Sequence, residues 1–281
     1  MTDEQSPSGL TRRRRRLTDT ETARRMLDTA MAMIDATGLT VSLEHIGFED
    51  VIRDAGVARS AVYRRWPYKD LFFSDLLKAI AATAPAAIGT DGTVAEDAVR
   101  RLALDRLEQF GTPEGRRALL VELLRQGALR DFEAMHASPQ WRTYIALHAT
   151  FLSLADGELR TEVQAALATA ERELINGIAR SYGQLAALLG LRLRPELGAG
   201  FEELAAQVSA TMRGFVITAR SLPDLAERRP RAGVLGAAEP VEWSRPALGV
   251  VAVALSFLEP DPEVEWDEER LATVRRALED A

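Results

Sequence analysis

Residues 48–77 read FEDVIRDAGVARSAVYRRWPYKDLFFSDLL, and this stretch decides the fold of the N-terminal part of the chain. Apolar side chains recur in its first eight residues at spacings of three and four, which predicts a short amphipathic helix. They are Phe48, Val51, Ile52 and Ala55. Gly56 follows, at the position where a helix C-cap favours a left-handed residue without a β-carbon. The spacing therefore predicts a helix that ends at a tight glycine turn.

A second short helix is predicted directly after this turn. Ala58, Val62 and Trp66 recur every fourth residue, so we expect them to face inward. Pro67 ends the helix, because a proline disfavours the helical conformation in the residue before it. The remaining positions form a basic, hydroxyl-bearing and aromatic outer face. A helix, a glycine turn and a second helix of this kind are typical of a helix-turn-helix, whose second helix enters the major groove of DNA.

At these residues the chain resembles the TetR family of bacterial transcriptional regulators. The resemblance rests on Ala55-Gly56-Val57 and on Tyr63-Arg64-Arg65-Trp66-Pro67-Tyr68-Lys69-Asp70-Leu71. The sequence departs from the family pattern at Ala58, Arg65 and Trp66, where Ser or Thr, His, and Phe are common. The resemblance implies an all-α fold, with a three-helix helix-turn-helix domain over residues 17–82 and a helical effector-binding and dimerisation domain over residues 93–281.

Several residues are candidates for DNA contact. Residues near the start of a recognition helix reach base edges. The five on the outer face are Arg59, Ser60, Ala61, Tyr63 and Arg64. Arg64 is suited to guanine O6 and N7 or to a phosphate, and Ala61 to a thymine methyl group. Tyr63 and Lys69 match positions that usually contact phosphates in the family that the chain resembles.

The N-terminal tail ends in five consecutive arginines, of which Arg15 and Arg16 are the last. Residues 1–16 are polar and are expected to be a disordered basic arm. The arginines could lie along a phosphate backbone or enter a minor groove. The alternative is that they are a solvated tail without a DNA contact.

Charge is distributed unevenly along the 281 residues, whose formal net charge is −7. Residues 11–80 hold 13 Lys and Arg against 10 Asp and Glu, whereas residues 81–281 hold 22 against 30. Positive charge therefore collects around the predicted DNA reader, as the electrostatic footprint of such a protein requires. The chain has no Cys, which excludes disulfides and thiolate chemistry and fits a reducing cytoplasm. No signal peptide or transmembrane helix is expected.

Beyond residue 92 the pattern is helical almost throughout. The predicted helices are Val94–Phe110, Pro113–Met135, Pro139–Ala155, Glu158–Gly190, Pro195–Leu222, Pro246–Leu258 and Asp267–Glu279. Four of them begin at or near a proline, which is favoured in the first helical turn. Residues 223–243 are rich in Pro, Gly and Arg, so a long mobile loop is expected there. The domain boundary is expected just before residue 93.

Aromatic and histidine side chains in this region suggest an effector pocket between helices, which the resemblance also implies. The candidates are Phe110, Phe132, His136, Trp141, Tyr144, His148 and Phe151. The last four recur on one helical face, and such a stripe is more polar than a dry core prefers. A purely structural role as core remains the alternative. The effector itself is expected to be a small, apolar or aromatic molecule.

Two apolar helices are the candidates for a homodimer interface. The helix that contains PALGVVAVALSFL is apolar on all sides and cannot be left exposed. The candidate residues are Phe201, Val208, Met212, Phe215, Val250, Ala254 and Phe257. The resemblance implies a two-fold bundle of four such helices, and the alternative is that these helices form internal core.

No catalytic, metal or cofactor site is expected. The three His, without any Cys or an HExxH motif, make a metal site improbable on sequence grounds. We therefore expect a regulator and not an enzyme, acting as a repressor that binds a palindromic operator and is released by a small molecule. The alternatives are a DNA-binding regulator without an effector and a helical enzyme that carries a helix-turn-helix module.

Overall fold

A computed structural model describes residues 17–37, 46–88 and 100–280, and the all-α prediction is confirmed. The first four helices are α1 (Asp19–Thr37), α2 (Phe48–Ala55), α3 (Arg59–Arg65) and α4 (Lys69–Ile88). The next three are α5 (Pro113–Ala137), α6 (Pro139–Ser153) and α7 (Glu158–Leu189). The last four are α8 (Phe201–Ser221), α9 (Asp224–Glu227), α10 (Arg245–Phe257) and α11 (Glu268–Asp280). The arm at residues 1–16, with Arg15 and Arg16, and the expected domain boundary lie outside the described residues.

The helix-turn-helix forms as its residues predict. Gly56 takes the left-handed conformation at φ 61°, and its N–H donates to the carbonyl oxygen of Arg53, which closes α2. Val62 on α3 and Trp66, the residue directly after it, are buried, at 0% and 2% exposure. Ala58 is different from the prediction: it is the exposed N-cap of α3, with extended backbone, and does not face the core. The short α3 is therefore held by two side chains one turn apart.

The buried apolar side chains of the described residues form two cores. The first core contains α1 to α4, with Met26, Ile34 and Phe72 at 0 to 1% exposure. It continues without a break into α6 and the first half of α7, through Trp141, Leu147 and Leu167 among others. The second core joins α5, the end of α7, α8 and α10. The helix-turn-helix is therefore docked on the C-terminal region by a shared apolar core.

Helix starts follow capping chemistry. Thr112, Ser138 and Ser244 each accept a hydrogen bond from a backbone N–H of the first turn of α5, α6 or α10. Each of these helices has a proline in its first turn, where the missing N–H leaves no hydrogen bond unmade. The three cap residues set these helix starts within a residue of the predicted positions.

Two predicted helices are shorter than expected, because non-local contacts shape their ends. Residues 100–104 are helical, but residues 107–111 form a 3₁₀ turn instead of continuing the helix. Helix α8 begins at Phe201 and not at Pro195, since Pro195–Leu197 form a separate 3₁₀ turn that ends at Gly198, at φ 54°. Before this turn the chain forms strand β1 (Leu191–Leu193). This strand pairs antiparallel with β4 (Leu258–Pro260), the segment after α10.

The connection between α8 and α10 is folded. It contains α9 and a two-stranded hairpin of β2 (Arg231–Ala232) and β3 (Val241–Glu242). The indole of Trp243, at 1% exposure, donates to the carbonyl oxygen of Ala232 at 3.1 Å. The buried Trp243 therefore anchors the segment for which the composition predicted a loop.

Candidate nucleic-acid interface and effector site

The outer face of α3 is exposed. Ser60, Tyr63 and Arg64 all face solvent, and Ala61 is partly exposed. Lys69, at the first position of α4, is also exposed. The sequence-predicted DNA contacts of the described region are therefore all at least partly exposed, and we call them the reading face: Arg59, Ser60, Ala61, Tyr63, Arg64 and Lys69.

Glu49 on α2 positions two residues of the reading face. Its carboxylate accepts from the Tyr63 hydroxyl at 2.7 Å and from Nε of Arg59 at 2.9 Å. These bonds from Tyr63 and Arg59 lower the pKa of Glu49. The Tyr63 ring also packs edge-on against Phe48, with centroids 5.8 Å apart. Sequence reasoning missed Glu49, because its partners lie 10 and 14 residues away across the turn and no periodic pattern links them.

Two further arginines of this region also have partners within the chain. Arg64 forms an ion pair with Asp19 at the start of α1. Arg65 lies over the ring of Trp66 at 5.1 Å. Exposed ion pairs contribute roughly 0–1 kcal/mol each, so a phosphate can replace a carboxylate partner at low cost. These ion pairs therefore orient the side chains but cost little to break.

Trp66 and Asp75 fix the junction between α3 and α4. The indole N–H of Trp66 donates to Oδ2 of Asp75 at 2.9 Å. Asp75 also lies 2.9 Å from Nζ of Lys78. Burial alone would raise the pKa of Asp75, but these bonds outweigh it and lower the pKa. The direction of α4 relative to the reading face is therefore set by a partly buried polar contact.

The predicted effector residues do not form one pocket. Phe110 is fully buried in the second core, where it contacts Trp266 with ring centroids 5.8 Å apart. Phe132 is buried, and His136 stacks on it at 5.4 Å. Trp141, Tyr144 and Phe151 belong to the first core or pack against it. His148 lies edge-on to Tyr144 at 4.6 Å.

A polar cluster joins three helices at the boundary between the two cores. Glu171 of α7 accepts from the Tyr144 hydroxyl at 2.5 Å and from both terminal nitrogens of Arg213 on α8, at 2.6 and 2.8 Å. Nε2 of His148 lies 3.2 Å from the same carboxylate. Burial would raise the pKa of Glu171, but the hydrogen bonds from His148, Arg213 and Tyr144 prevail and hold it far below its ordinary value. We call these residues the Glu171 cluster.

A cleft of about 400 Å³ opens between the start of α5 and the segment after β2. Its lining includes Gln109, Arg117 and Ala237, and the side-chain oxygen of Gln109 is buried there without a hydrogen-bond partner. None of the predicted effector residues lines this cleft. The cleft and the predicted aromatic stripe are therefore separate features.

The predicted dimer residues are either buried or partly buried within the chain. Val208, Met212, Val250 and Ala254 are buried in the chain's own second core, at 7% exposure or less. Phe201, Phe215 and Phe257 are partly buried and pack against the same core. The opposite sides of the two helices are exposed and carry no charge, at Ala210, Gly214, Ile217, Leu248, Ala252 and Ser256. We call this second set the outward face of α8 and α10.

No group of three or more His, Asp or Glu within residues 17–37, 46–88 and 100–280 could hold a metal ion. Over the same residues, no helix combines the length and apolar character that a membrane span needs.

Comparisons with solved structures find loose likenesses over most of the chain. Reduced NemR of E. coli shares 15% identity and covers 87% of this chain and 100% of its own, with a TM-score of 0.44. A SmeT–triclosan complex shares 21% identity, covering 88% and 99% of the two chains at a TM-score of 0.42. SmeT as the repressor of the Stenotrophomonas maltophilia multidrug efflux pump SmeDEF shares 19%, covering 88% and 100% at 0.39. No protein-family model matches the sequence, and no curated protein matches it either.

Proposed function

We propose that this protein is a cytoplasmic transcriptional regulator that binds a palindromic operator as a homodimer and leaves it when a small molecule binds. The observation that carries the proposal is the reading face. Val62 and Trp66 bury one side of α3 completely, so Ser60, Tyr63 and Arg64 must point away from the protein. An exposed short helix with this chemistry, preceded by a glycine turn, suits the major groove of a duplex.

The electrostatics of the reading face support a DNA partner. Glu49 holds Tyr63 and Arg59 side by side at the surface. Pre-ordering of long side chains reduces the conformational entropy that binding would otherwise remove. In the proposed complex Arg59 and Arg64 exchange their carboxylate partners for phosphates or base edges, and the exposed Lys69 reaches the backbone.

A gel-shift experiment tests this proposal. Duplexes are first selected from a random-sequence pool with the wild-type protein, and the enriched sequence is then titrated with variants. Arg64→Ala and Tyr63→Ala are each expected to weaken binding about tenfold or more, since one good base or phosphate contact contributes roughly 1–3 kcal/mol. Arg180→Ala, an exposed arginine on α7, is the control and should bind like wild type. Unchanged affinity of both reading-face variants would refute the proposal.

The outward face of α8 and α10 supports the dimer. Ile217 and Leu248 are 51% and 37% exposed, and the residues that define this face are uncharged. A β-carbon added at Gly214 would meet no atom of the chain within 4 Å, so a neighbouring helix could approach there. Two copies of this face, related by a two-fold axis, would form a four-helix bundle.

Sedimentation tests the dimer. Ile217→Glu places a charge in the proposed interface and is expected to yield a monomer. Leu152→Glu, at a leucine 77% exposed on α6, is the matched control and should sediment like wild type. A dimer that survives Ile217→Glu places the interface elsewhere.

One observation favours a regulator without an effector. Trp141 and Tyr144, which the sequence suggests as pocket residues, are 5% and 2% exposed inside the first core. A thermal-shift screen distinguishes the two functions, since any ligand that binds only the folded chain raises its melting temperature. Turnover of such a ligand would instead favour the enzyme alternative.

A further inference from the structure

The cleft at the start of α5 has walls of small residues. It holds about 400 Å³ between α5 and the segment after β2, which lies within the size range of small-molecule sites. Side chains of this size cannot fill the space between the two segments, so a molecule with one aromatic ring fits there. The small lining residues are Gly115, Ala118, Gly236, Ala237 and Ala238.

The wall opposite α5 is a tight turn that the fold holds in place. Leu235 and Gly236 both take left-handed backbone conformations, at φ 60° and 93°, and the N–H of Ala237 donates to the carbonyl oxygen of Val234 at 3.1 Å. This backbone is unfavourable for a leucine and persists only where packing enforces it. Leu235 packs against the second core, which supplies that packing. The cleft is therefore preformed.

The three polar residues that line the cleft all lack a partner in the described chain. Glu114 and Arg117 lie three residues apart on α5, so they share one face of the helix. They nevertheless form no ion pair with each other or with any other residue that the structure describes. Gln109 lines the cleft as well, and its buried Oε1 accepts no hydrogen bond. The cleft thus combines an unpaired cation, an unpaired anion and an unused acceptor.

The side chain of Arg117 runs along the opposite wall. A β-carbon on Gly236 would lie 2.8 Å from Nε of Arg117 and 3.2 Å from its Cγ, so the two residues are in contact. Arg117 therefore extends from α5 to the turn and brings its positive charge across the cleft. Glu114 lies one helical turn earlier, on the same wall as the start of Arg117.

We propose that this cleft is the effector site and that it binds a free amino acid with an apolar side chain. The inference rests on the proposed function, whose effector it specifies. The carboxylate of the amino acid pairs with Arg117, and its ammonium group donates to Glu114 and to Oε1 of Gln109. Its apolar side chain lies against Ala118 and Ala237.

Other ligand classes match the cleft less well. An organic anion would leave Glu114 and the Gln109 acceptor unpaired, and an organic cation would leave Arg117 unpaired. A neutral apolar molecule would desolvate all three polar residues without replacing their hydrogen bonds to water. A zwitterion supplies an acceptor to the guanidinium and donors to the other two residues at once.

The cleft also borders the end of α7. Phe110 directly follows Gln109, and its ring contacts Trp266 with centroids 5.8 Å apart. Trp266 in turn packs on Gly190, the C-cap of α7, where a β-carbon would lie only 2.8 Å from the indole Nε1. A ligand held by Gln109 therefore acts next to the contact that supports the C-terminal end of α7.

A matched series of three probes tests the inference. L-phenylalanine carries both charges, 2-phenylethylamine lacks the carboxylate and 3-phenylpropionate lacks the ammonium group. Isothermal titration at pH 7.5 is expected to give at least about fivefold tighter binding for L-phenylalanine than for either analogue. This factor is modest because Glu114 and Arg117 are exposed, so water screens each charge pair.

Variants of the two charged residues assign each probe group to its partner. Arg117→Gln should weaken L-phenylalanine binding about fivefold and leave the affinity for phenylethylamine unchanged. Glu114→Gln should weaken L-phenylalanine binding about as much and leave the affinity for phenylpropionate unchanged. The controls are Arg180→Gln and Glu173→Gln, at exposed residues of α7 outside the cleft, and both should bind all probes like wild type.

Gln109→Leu tests the buried acceptor separately from charge. It should weaken binding of L-phenylalanine and phenylethylamine by about threefold to fivefold, which corresponds to one neutral-acceptor hydrogen bond, and leave phenylpropionate binding unchanged. A uniform change in affinity for all three probes would indicate altered packing and would contradict the proposed contact.

Three calorimetric results would overturn the inference. They are equal affinity of wild type for the three probes, unchanged L-phenylalanine affinity of both charge variants, and failure of the folded wild type to bind L-phenylalanine. In the gel shift, L-phenylalanine should weaken operator binding by wild type more than by Arg117→Gln, and an equal response would refute the effector role. Failure of DNA binding itself would appear without any probe, while the calorimetric preference persisted.

Discussion

Glu171→Gln removes the charge at the centre of the polar cluster that joins three helices. The carboxylate connects α6, α7 and α8 through Tyr144 and Arg213. Glutamine keeps the size of the side chain but presents an NH₂ group where one of the two Arg213 contacts needs an acceptor. The substitution therefore removes the charge and sets donor against donor at one position of a bidentate pair.

The magnitude follows from the burial of this pair. The side chains of Glu171 and Arg213 are each 21% exposed, so the pair is largely shielded from water. A hydrogen bond to a charged group contributes roughly 1.5–3 kcal/mol, and loss of one partner of a fully buried ion pair costs about 3–5 kcal/mol. For this partly buried pair we expect Glu171→Gln to lower the free energy of unfolding by about 2–3 kcal/mol.

Urea unfolding at pH 7.5 measures this difference, and the pH dependence provides a second check. Because the folded-state pKa of Glu171 lies below its ordinary value of 4.5, the folded state binds fewer protons than the unfolded state near that pH. The stabilisation by the charged carboxylate is therefore complete above about pH 4.5 and is lost as pH falls through the folded-state pKa. Wild type and variant should thus approach each other in stability only in acid.

Glu173→Gln is the control, since Glu173 is exposed on the same helix. We expect it to change stability by less than about 0.5 kcal/mol. The prediction is wrong if the two variants are equally stable, or if the deficit of Glu171→Gln does not shrink as the pH is lowered well below 4.5. Either result would mean that the charge of Glu171 does not hold the three helices together.

Three further predictions concern stability and are checked by urea or thermal unfolding. Gly56→Ala should lower the free energy of unfolding by about 1–2 kcal/mol. Its φ is 61° and no atom lies near the added β-carbon, so backbone strain alone acts. Gly177→Ala, inside a helix, should not destabilise the chain, and equal effects of the two substitutions would contradict this account. Trp66→Phe should lower the free energy of unfolding by about 1–2 kcal/mol, since it removes the hydrogen bond from the indole to Asp75. Unchanged stability would show that this hydrogen bond contributes nothing. Asp131→Asn should raise the free energy of unfolding at pH 7.5 by about 1 kcal/mol after allowance for solvent screening. The reason is that the folded chain raises the pKa of Asp131, so the charged carboxylate is unfavourable there. The gain should vanish as pH falls well below 6, and a loss of stability at pH 7.5 would contradict the prediction.

Local patterns predicted the helix-turn-helix because every feature that defines it lies within one short stretch. The glycine C-cap, the buried Val62 and Trp66, and the proline stop each act on their immediate neighbours. The one inward-facing residue that was wrongly predicted, Ala58, lies at the helix start, where capping geometry replaces the four-residue repeat. Periodicity applies only once the helix has begun.

Features that depend on distant partners were not predictable in the same way. Helix α8 starts six residues later than its proline suggested, because Pro195–Leu197 form a separate 3₁₀ turn that ends at left-handed Gly198. The strand before this turn, β1, pairs with β4 more than 60 residues away, which no local pattern indicated. Both sides of α8 and α10 are apolar, so periodicity alone did not show which side faces the chain's own core. The aromatic stripe from Trp141 was visible in the sequence, but the helices that cover it were not.

Helix α7 is the element through which the proposed effector response would reach DNA. Its first half belongs to the core of the reading domain through Val163 and Leu167, and α4 packs closely along it. Its second half belongs to the second core through Ala186 and Leu189. A ligand that moves the second half of α7 would therefore act on the same helix that supports α4. In the proposed dimer the spacing of the two reading faces would depend on that support, so a ligand that prefers one position of α7 would change operator affinity by its preference ratio for that position.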